Sequence, residues 1–323
     1  MDRRSVLAFL ILAPAAVLAT AWADLPPYLL QILALACTYA VPAIGLNLLL
    51  GYGGLVSLGH AAFVGLGGYA LGLLTVEAGW SFWAALPLAP LVAGVAGALL
   101  GAVTLRLRSH FFMIATLAFG LVLHAVLNNW EGLTRGPVGL PGIPRPEALA
   151  LFGLEIGFRR LPDFAAFAVG CTALAYGFSA LVVRSDFGRM LEAIRQDEIL
   201  AAAKGVDVAR GKIVTFALAA AIAGFGGALK VSFLRVAAPA SFEYAEGINL
   251  VLIVVLGGAG RLAGPLIGAL LFVALPEALR VAAEWRLVFF GLALVILMRA
   301  APDGVAGLIA RGWAALRRRR APA

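Results

Sequence analysis

The apolar residues of this chain come in runs of roughly 20, one after another, with hardly a charge inside them. That is the length an α-helix needs to cross the hydrocarbon of a bilayer. There a helix satisfies its own backbone polar groups, as no open loop or sheet edge can. Hydrophobic residues make up 63% of the chain and charged residues 13%. Soluble domains carry about 45–50% and about 25% respectively, so lipid is the solvent implied. Across 323 residues the runs supply about eight to ten crossings and leave little length for a soluble domain.

The expected fold is therefore all-α, a polytopic transmembrane helix bundle with glycine-interrupted or re-entrant segments. One integral membrane domain is expected over 1–323, with a cytoplasmic loop at 184–212 and a basic cytoplasmic tail at 302–323. Spans are expected at about 5–23, 28–50, 60–76, 82–105, 110–128, 163–183 and 213–234. Shorter runs follow at about 247–257, 264–279 and 286–300. The first two of these are either two crossings or one re-entrant hairpin, and both return the chain to the same side. The N-terminal run follows Arg3 and Arg4 and ends on Ala21-Trp22-Ala23, which also fits a signal peptide. An uncleaved anchor is the preferred reading, because further spans follow at once.

Orientation follows from the basic residues. With the N-terminus inside, cytoplasmic segments hold 16 of the 25 Lys and Arg residues, including Arg184, Arg189, Arg195, Lys204, Arg210, Lys212 and Arg317 to Arg320. Outer segments hold eight, Lys230 and Arg235 among them, and Arg261 falls between. Both termini are expected in the cytoplasm. The net charge of +8 is then a product of topology and asks for no nucleic-acid partner; the basic tail suits the anionic lipid surface. Cys37 and Cys171 lie within apolar runs, so neither a disulfide framework nor a metal site is indicated.

Two loops stand out. The outer one, at about 129–162, contains Pro137, Pro141, Pro144 and Pro146 and the turn-rich run Thr134 to Gly142, which excludes a long helix. The apolar piece 149–158 is too short to span. The cytoplasmic loop reads as two short helices, the first capped by Ser185 or Asp186. Asp197 caps the second and Gly205 ends it in a left-handed conformation. Small residues would let this second helix dock closely against a partner, although an ordinary loop helix has the same composition.

Carriers driven by protons or sodium commonly keep a carboxylate or histidine at mid-membrane. No such carboxylate is expected here, and His60, His110 and His124 read as packing or interfacial residues. The most informative interruption is Gly51-Tyr52-Gly53-Gly54-Leu55-Val56-Ser57-Leu58-Gly59-His60, which follows Asn47. A second, Leu256-Gly257-Gly258-Ala259-Gly260, aligns on Leu50 to Gly54. Paired interruptions of this kind mark a translocation path, while glycines also serve close helix packing. The candidate path residues are Asn47, Gly51, Gly53, Gly54, Ser57, Gly59, His60, Gly257, Gly258 and Gly260. No ATP site is visible: Gly211-Lys212 is followed by Ile213 and lacks the upstream glycine of a phosphate-binding loop. Zinc-hydrolase and serine-hydrolase motifs are likewise missing from the sequence.

Nearly the whole chain resembles the permease subunits of branched-chain amino acid ABC importers, and most closely the M-type subunit. The resemblance rests on four segments in family order: Gly45 to Phe63, Leu133 to Leu140, Gly188 to Gly205, and Val255 to Gly260 with Gly264-Pro265. One departure is Arg135, where the family pattern carries glycine. The resemblance implies a permease with no cofactor of its own and no enzymatic activity. It implies two partner ATPase subunits that use ATP-Mg, a second homologous permease, and a periplasmic or lipid-anchored solute-binding protein. The location it implies is the bacterial inner membrane. In the family's loose E-A-A…G pattern, which docks in a groove of the ATPase, Glu198, Ala201, Ala202 and Gly205 fall at the coupling positions. Arg195 or Lys204 could pair with acidic ATPase residues. Branched-chain amino acids are the expected solute, with urea, short amides or another small organic solute as the alternative. A stand-alone secondary carrier and a polytopic membrane enzyme are the readings of another class.

Overall fold

The computed structural model describes residues 25–105, 109–151 and 154–278, together with 291, 292, 295, 299, 304–308 and 311. The expected span at 5–23, most of that at 286–300 and most of the basic tail lie outside the described residues. The long helices are α1 (Pro27–Asn47), α2 (His60–Val76), α3 (Leu88–Thr104), α4 (Ser109–Asn129) and α5 (Leu161–Arg184). Two short helices follow, α6 (Asp186–Gln196) and α7 (Glu198–Ala203), then α8 (Val208–Leu234), α9 (Tyr244–Gly257) and α10 (Gly264–Ala278). Among the described residues, six segments are long and apolar enough to cross a membrane: Pro27–Tyr52, Phe82–Thr104, Phe111–Asn129, Leu161–Arg184, Val208–Leu234 and Pro239–Gly257. The chain is thus a polytopic helix bundle, as the spacing of its apolar runs predicts.

At the centre lies α8, and small residues explain its place. Lipid is as apolar as leucine, so helices in a membrane associate by close van der Waals packing. A Cβ on Gly227 would sit 1.9 Å from the Val64 carbonyl of α2, and one on Gly224 would sit 2.4 Å from Ala93 of α3. On the α1 side, a Cβ on Gly226 would meet the Pro42 ring at 2.5 Å. Between these contacts an aromatic cluster fills the core, with Phe216 edge-on to Phe63 and Phe112, each at 5.3 Å. A second core joins α1 to α5 through Leu30, Ala34, Cys37, Phe164, Ala168 and Cys171. Leu99, Val103, Val122, Leu174 and Leu181 point outward on α3, α4 and α5, which is the face a bilayer would cover.

Two segments at the far end fold into the bundle rather than over it. Strand β1 (Leu140–Pro141) pairs antiparallel with β4 (Val236–Ala237), Leu140 opposite Ala237. Leu140 and Ile143 are fully buried and approach Gly72 of α2, where a Cβ would lie 3.1 and 3.0 Å from their side chains. The turn Pro239–Phe242 goes deeper and sets Phe242 against Gly65. Hence α9 begins near the middle of α2, and its Gly247 packs on the Leu58 carbonyl. The segment at 247–279 is therefore an α9–α10 hairpin whose first arm starts inside the bundle. Near residue 150, β2 (Leu149–Leu151) pairs antiparallel with β3 (Leu154–Ile156).

Candidate functional site

After Asn47 the first span loses its α-helical winding. Leu48–Tyr52 form a π-turn, and the chain then runs without helix until His60 starts α2. Asn47 is buried, and its amide is committed on both sides: Nδ2 donates to the Arg261 carbonyl at 3.0 Å, and Oδ1 accepts from the Gly260 N–H at 2.9 Å. The two glycine interruptions therefore meet in space. Gly51 has to be glycine at this junction, because a Cβ would lie 2.3 Å from both Asn47 Oδ1 and Gly260 N. Gly260 has φ +77°, a conformation that costs a side chain but not glycine. The α9–α10 turn closes equally tightly, since a Cβ on Gly257 would lie 1.8 Å from the Gly264 carbonyl.

The remaining candidates separate from this junction. Gly54 stacks on the Arg195 side chain. Gly53 has only its own helix turn close by, with the Leu49 carbonyl nearest. Gly59 lets α4 approach, a Cβ there falling 1.9 Å from the Thr116 carbonyl. Ser57 and His60 are fully buried. Among the described residues, no hydrogen-bond partner is in reach of the Ser57 hydroxyl or of either His60 ring nitrogen. His60 packs edge-on against Phe63 at 6.0 Å.

Arg195, at the end of α6, takes a different place from the one its loop position suggests. Its guanidinium turns inward and donates to the Gly51 carbonyl, which is exposed for bonding by the π-turn. The loop at 184–212 is thus bonded to the broken helix. Asp197 caps α7, accepting from Leu200 N–H at 3.0 Å, and Gly205 has φ +85°; both follow the sequence reading. Ser185 occupies the cap of α6, but its hydroxyl donates to the Val182 carbonyl instead.

The four coupling candidates, three in α7 and Gly205 just after it, differ. Ala201 is only 4% exposed and faces the protein. Glu198 pairs with Lys212 of α8 at 2.7 Å. Ala202 and Gly205 are exposed. The most prominent outward groups are apolar ones that the motif does not contain, Ile199 at 83% and Leu200 at 53% exposed. Ile199 and Ala202 share a shallow cleft with Gln196, Asp197, Glu198 and Val208.

Sequence reasoning missed one charged pair. It assigned Lys230 to an outer segment and expected span interiors without a carboxylate. Lys230 lies on the buried face of α8 and forms an ion pair with Glu246 of α9. The side chains are 8% and 13% exposed. The neighbouring Val231 rests on Gly68, the midpoint of α2, so the pair sits deep in the bundle. The cue was present: Lys230 ends the small-residue run Ala219 to Leu229, the stretch that packs against three other helices.

Residues 28–298 match the family described as the permease component of branched-chain amino acid transport systems. The chain is 34% identical over 331 residues to the high-affinity branched-chain amino acid transport system permease protein LivM of Escherichia coli strain K12, covering 94% of this chain and 76% of that protein. It is 26% identical over 294 residues to LivH of the same organism, covering 84% and 92%. A shorter match, 33% over 125 residues, links 36% of the chain to 38% of the ribose import permease protein RbsC of Bacillus subtilis strain 168. No solved structure matches the chain. A multi-pass bundle whose two glycine breaks meet, matched over most of its length by these permeases, belongs to the permease family of branched-chain amino acid ABC transport systems.

Proposed function

We propose that this chain is the transmembrane permease subunit of an ATP-driven importer that moves branched-chain amino acids across the bacterial inner membrane by alternating access. Its partners in this reading are two ATPase subunits that use ATP-Mg, a second homologous permease and a periplasmic or lipid-anchored binding protein. Both termini lie in the cytoplasm. The observation that carries the proposal is the bond from Arg195 to the Gly51 carbonyl. It joins a loop that presents Ile199 and Leu200 outward to the place where the two interrupted helices touch.

The mechanism follows from those links. Ile199, Leu200 and Ala202 enter a groove of the ATPase, while Ala201 seats α7 on the permease. Closure of the ATPases shifts α6 and α7 as a unit, and the Glu198–Lys212 pair carries the shift to the base of α8. Arg195 moves the Gly51 carbonyl with it and changes the fit of Gly51 against Gly260. A junction with no space for a Cβ has few intermediate arrangements, so it switches between packings rather than deforming smoothly.

Purification of the tagged chain from its native membrane tests the proposal. Recovery of two ATPases and a second permease supports it. Recovery of the chain alone, active in liposomes without ATP, contradicts it. The partial likeness to a ribose permease favours one second reading, a different small polar solute, which uptake assays of the recovered complex would show.

A further inference from the structure

We propose that Lys230 and Glu246 form the intramembrane binding site for the two charged ends of a zwitterionic solute. This inference rests on the import reading above and adds to it the residues that hold the solute's charged ends inside the bundle. The Lys230 ammonium bonds Glu246, donates to the Ser241 carbonyl at 3.1 Å, and lies 5.1 Å above the Tyr39 ring and 5.8 Å from that of Phe242. The Glu246 carboxylate also lies beside the Tyr39 hydroxyl and accepts from Asn249 Nδ2 at 3.4 Å. Two ions buried in a membrane bundle are expensive, and well-packed apolar residues would hold the same helices together at lower cost.

Chemistry gives the pair a use. An α-amino acid near neutral pH carries a carboxylate and an ammonium side by side, and neither enters hydrocarbon without a partner. Net-neutral in the closed state, the pair opens to offer Lys230 to the carboxylate and Glu246 to the ammonium, replacing one ion contact by two. The aromatic rings of Tyr39, Phe242 and Phe272, the last 5.5 Å from Tyr39, would face an aliphatic side chain. Urea or a neutral amide would need no such pair.

The site is connected to the junction. Tyr39, Ala43 and Asn47 repeat every four residues and share one face of α1, so the pair and the Asn47 clasp lie about 12 Å apart along that face. α10 packs along α1 here, and α9 carries Glu246 at its start and leads into Gly260 at its end. A shift at Gly51–Gly260 therefore acts on the same helices that hold the pair closed.

The test uses the complete importer, with its binding protein, reconstituted in liposomes. Assembly, binding-protein-stimulated ATP hydrolysis and uptake of L-leucine are measured for wild type, Lys230→Met/Glu246→Gln and the charge exchange Lys230→Glu/Glu246→Lys. The proposal expects both variants to assemble and hydrolyse ATP within about twofold of wild type, with leucine uptake about tenfold lower. Unchanged uptake in the neutral variant would place the pair off the path and overturn the proposal. So would recovery of uptake in the charge exchange, or failure of both variants to assemble, since each makes the pair a brace for the fold. Failure of the underlying reading looks different: wild type itself would take up no leucine.

Discussion

Asn47 and Gly260 are joined by a 2.9 Å hydrogen bond across 213 residues of sequence, and the same asparagine holds the Arg261 carbonyl. One buried amide thus fixes where the end of α1 meets the α9–α10 turn. Replacement by alanine leaves a buried N–H and C=O without partners, at about 1–3 kcal/mol each. Asn47→Ala is expected to lower stability by about 2–4 kcal/mol, read as thermal unfolding of the purified chain. Asn47→Asp keeps the acceptor and loses the donor, and is expected to fall between wild type and alanine.

Arg195 is expected to act in transmission rather than in folding, because it bonds the Gly51 carbonyl and rests on Gly54 at the edge of the junction. Arg195→Gln in the assembled importer should leave ATP hydrolysis within about twofold of wild type while solute uptake falls about tenfold. Uptake and hydrolysis falling in parallel would remove this role.

The apolar outer face of α7 makes a separate prediction. Ile199→Glu/Leu200→Glu places two charges where apolar contact with an ATPase groove is proposed, and one poorly placed charge at a buried contact costs several kcal/mol. Co-purification of the ATPases should be lost while the permease remains inserted and folded. The inward-facing Ala201 gives a contrast: Ala201→Leu should disturb the seating of α7 and lower the stability of the chain itself.

Arg235 ends α8 with φ +61°, a left-handed conformation that costs a side-chain-bearing residue about 1–2 kcal/mol. Its carbonyl accepts from the N–H groups of Gly142 and Ile143, a backbone contact that glycine would keep. Arg235→Gly is expected to stabilise the chain by about 1 kcal/mol in thermal unfolding. Arg135 has the same φ, a conformation that glycine adopts without strain. There the gain would be offset in part by loss of the exposed 2.7 Å pair with Glu77.

How far the sequence could be read depended on the kind of signal. Helix positions were legible because crossing lipid demands long uninterrupted apolar runs: the expected spans at 28–50, 60–76, 82–105, 110–128 and 163–183 lie within a few residues of the observed helices. The two glycine interruptions at 51–54 and 257–260 were legible as similar breaks in apolar runs, but that Gly51 meets Gly260 at their junction was not. Nor was the direction of a single long side chain. Arg195 has the charge pattern of any cytoplasmic loop residue, and only the fold aims it at Gly51. Lys230 was misplaced because one-dimensional hydropathy measures depth from span ends, whereas the segments at 136–143 and 235–243 re-enter the bundle and cover it. Its partner Glu246 lies in the first turn of a helix that starts inside the bundle, a position that span counting reads as a loop.

The central claim is that ATP hydrolysis on partner subunits drives solute through this chain, and uptake of L-leucine by the purified complex in liposomes tests it most directly. Uptake against a gradient that requires enclosed ATP-Mg and the binding protein, and that ignores imposed proton or sodium gradients, is the result predicted. Uptake that follows an ion gradient and proceeds without ATP would contradict it.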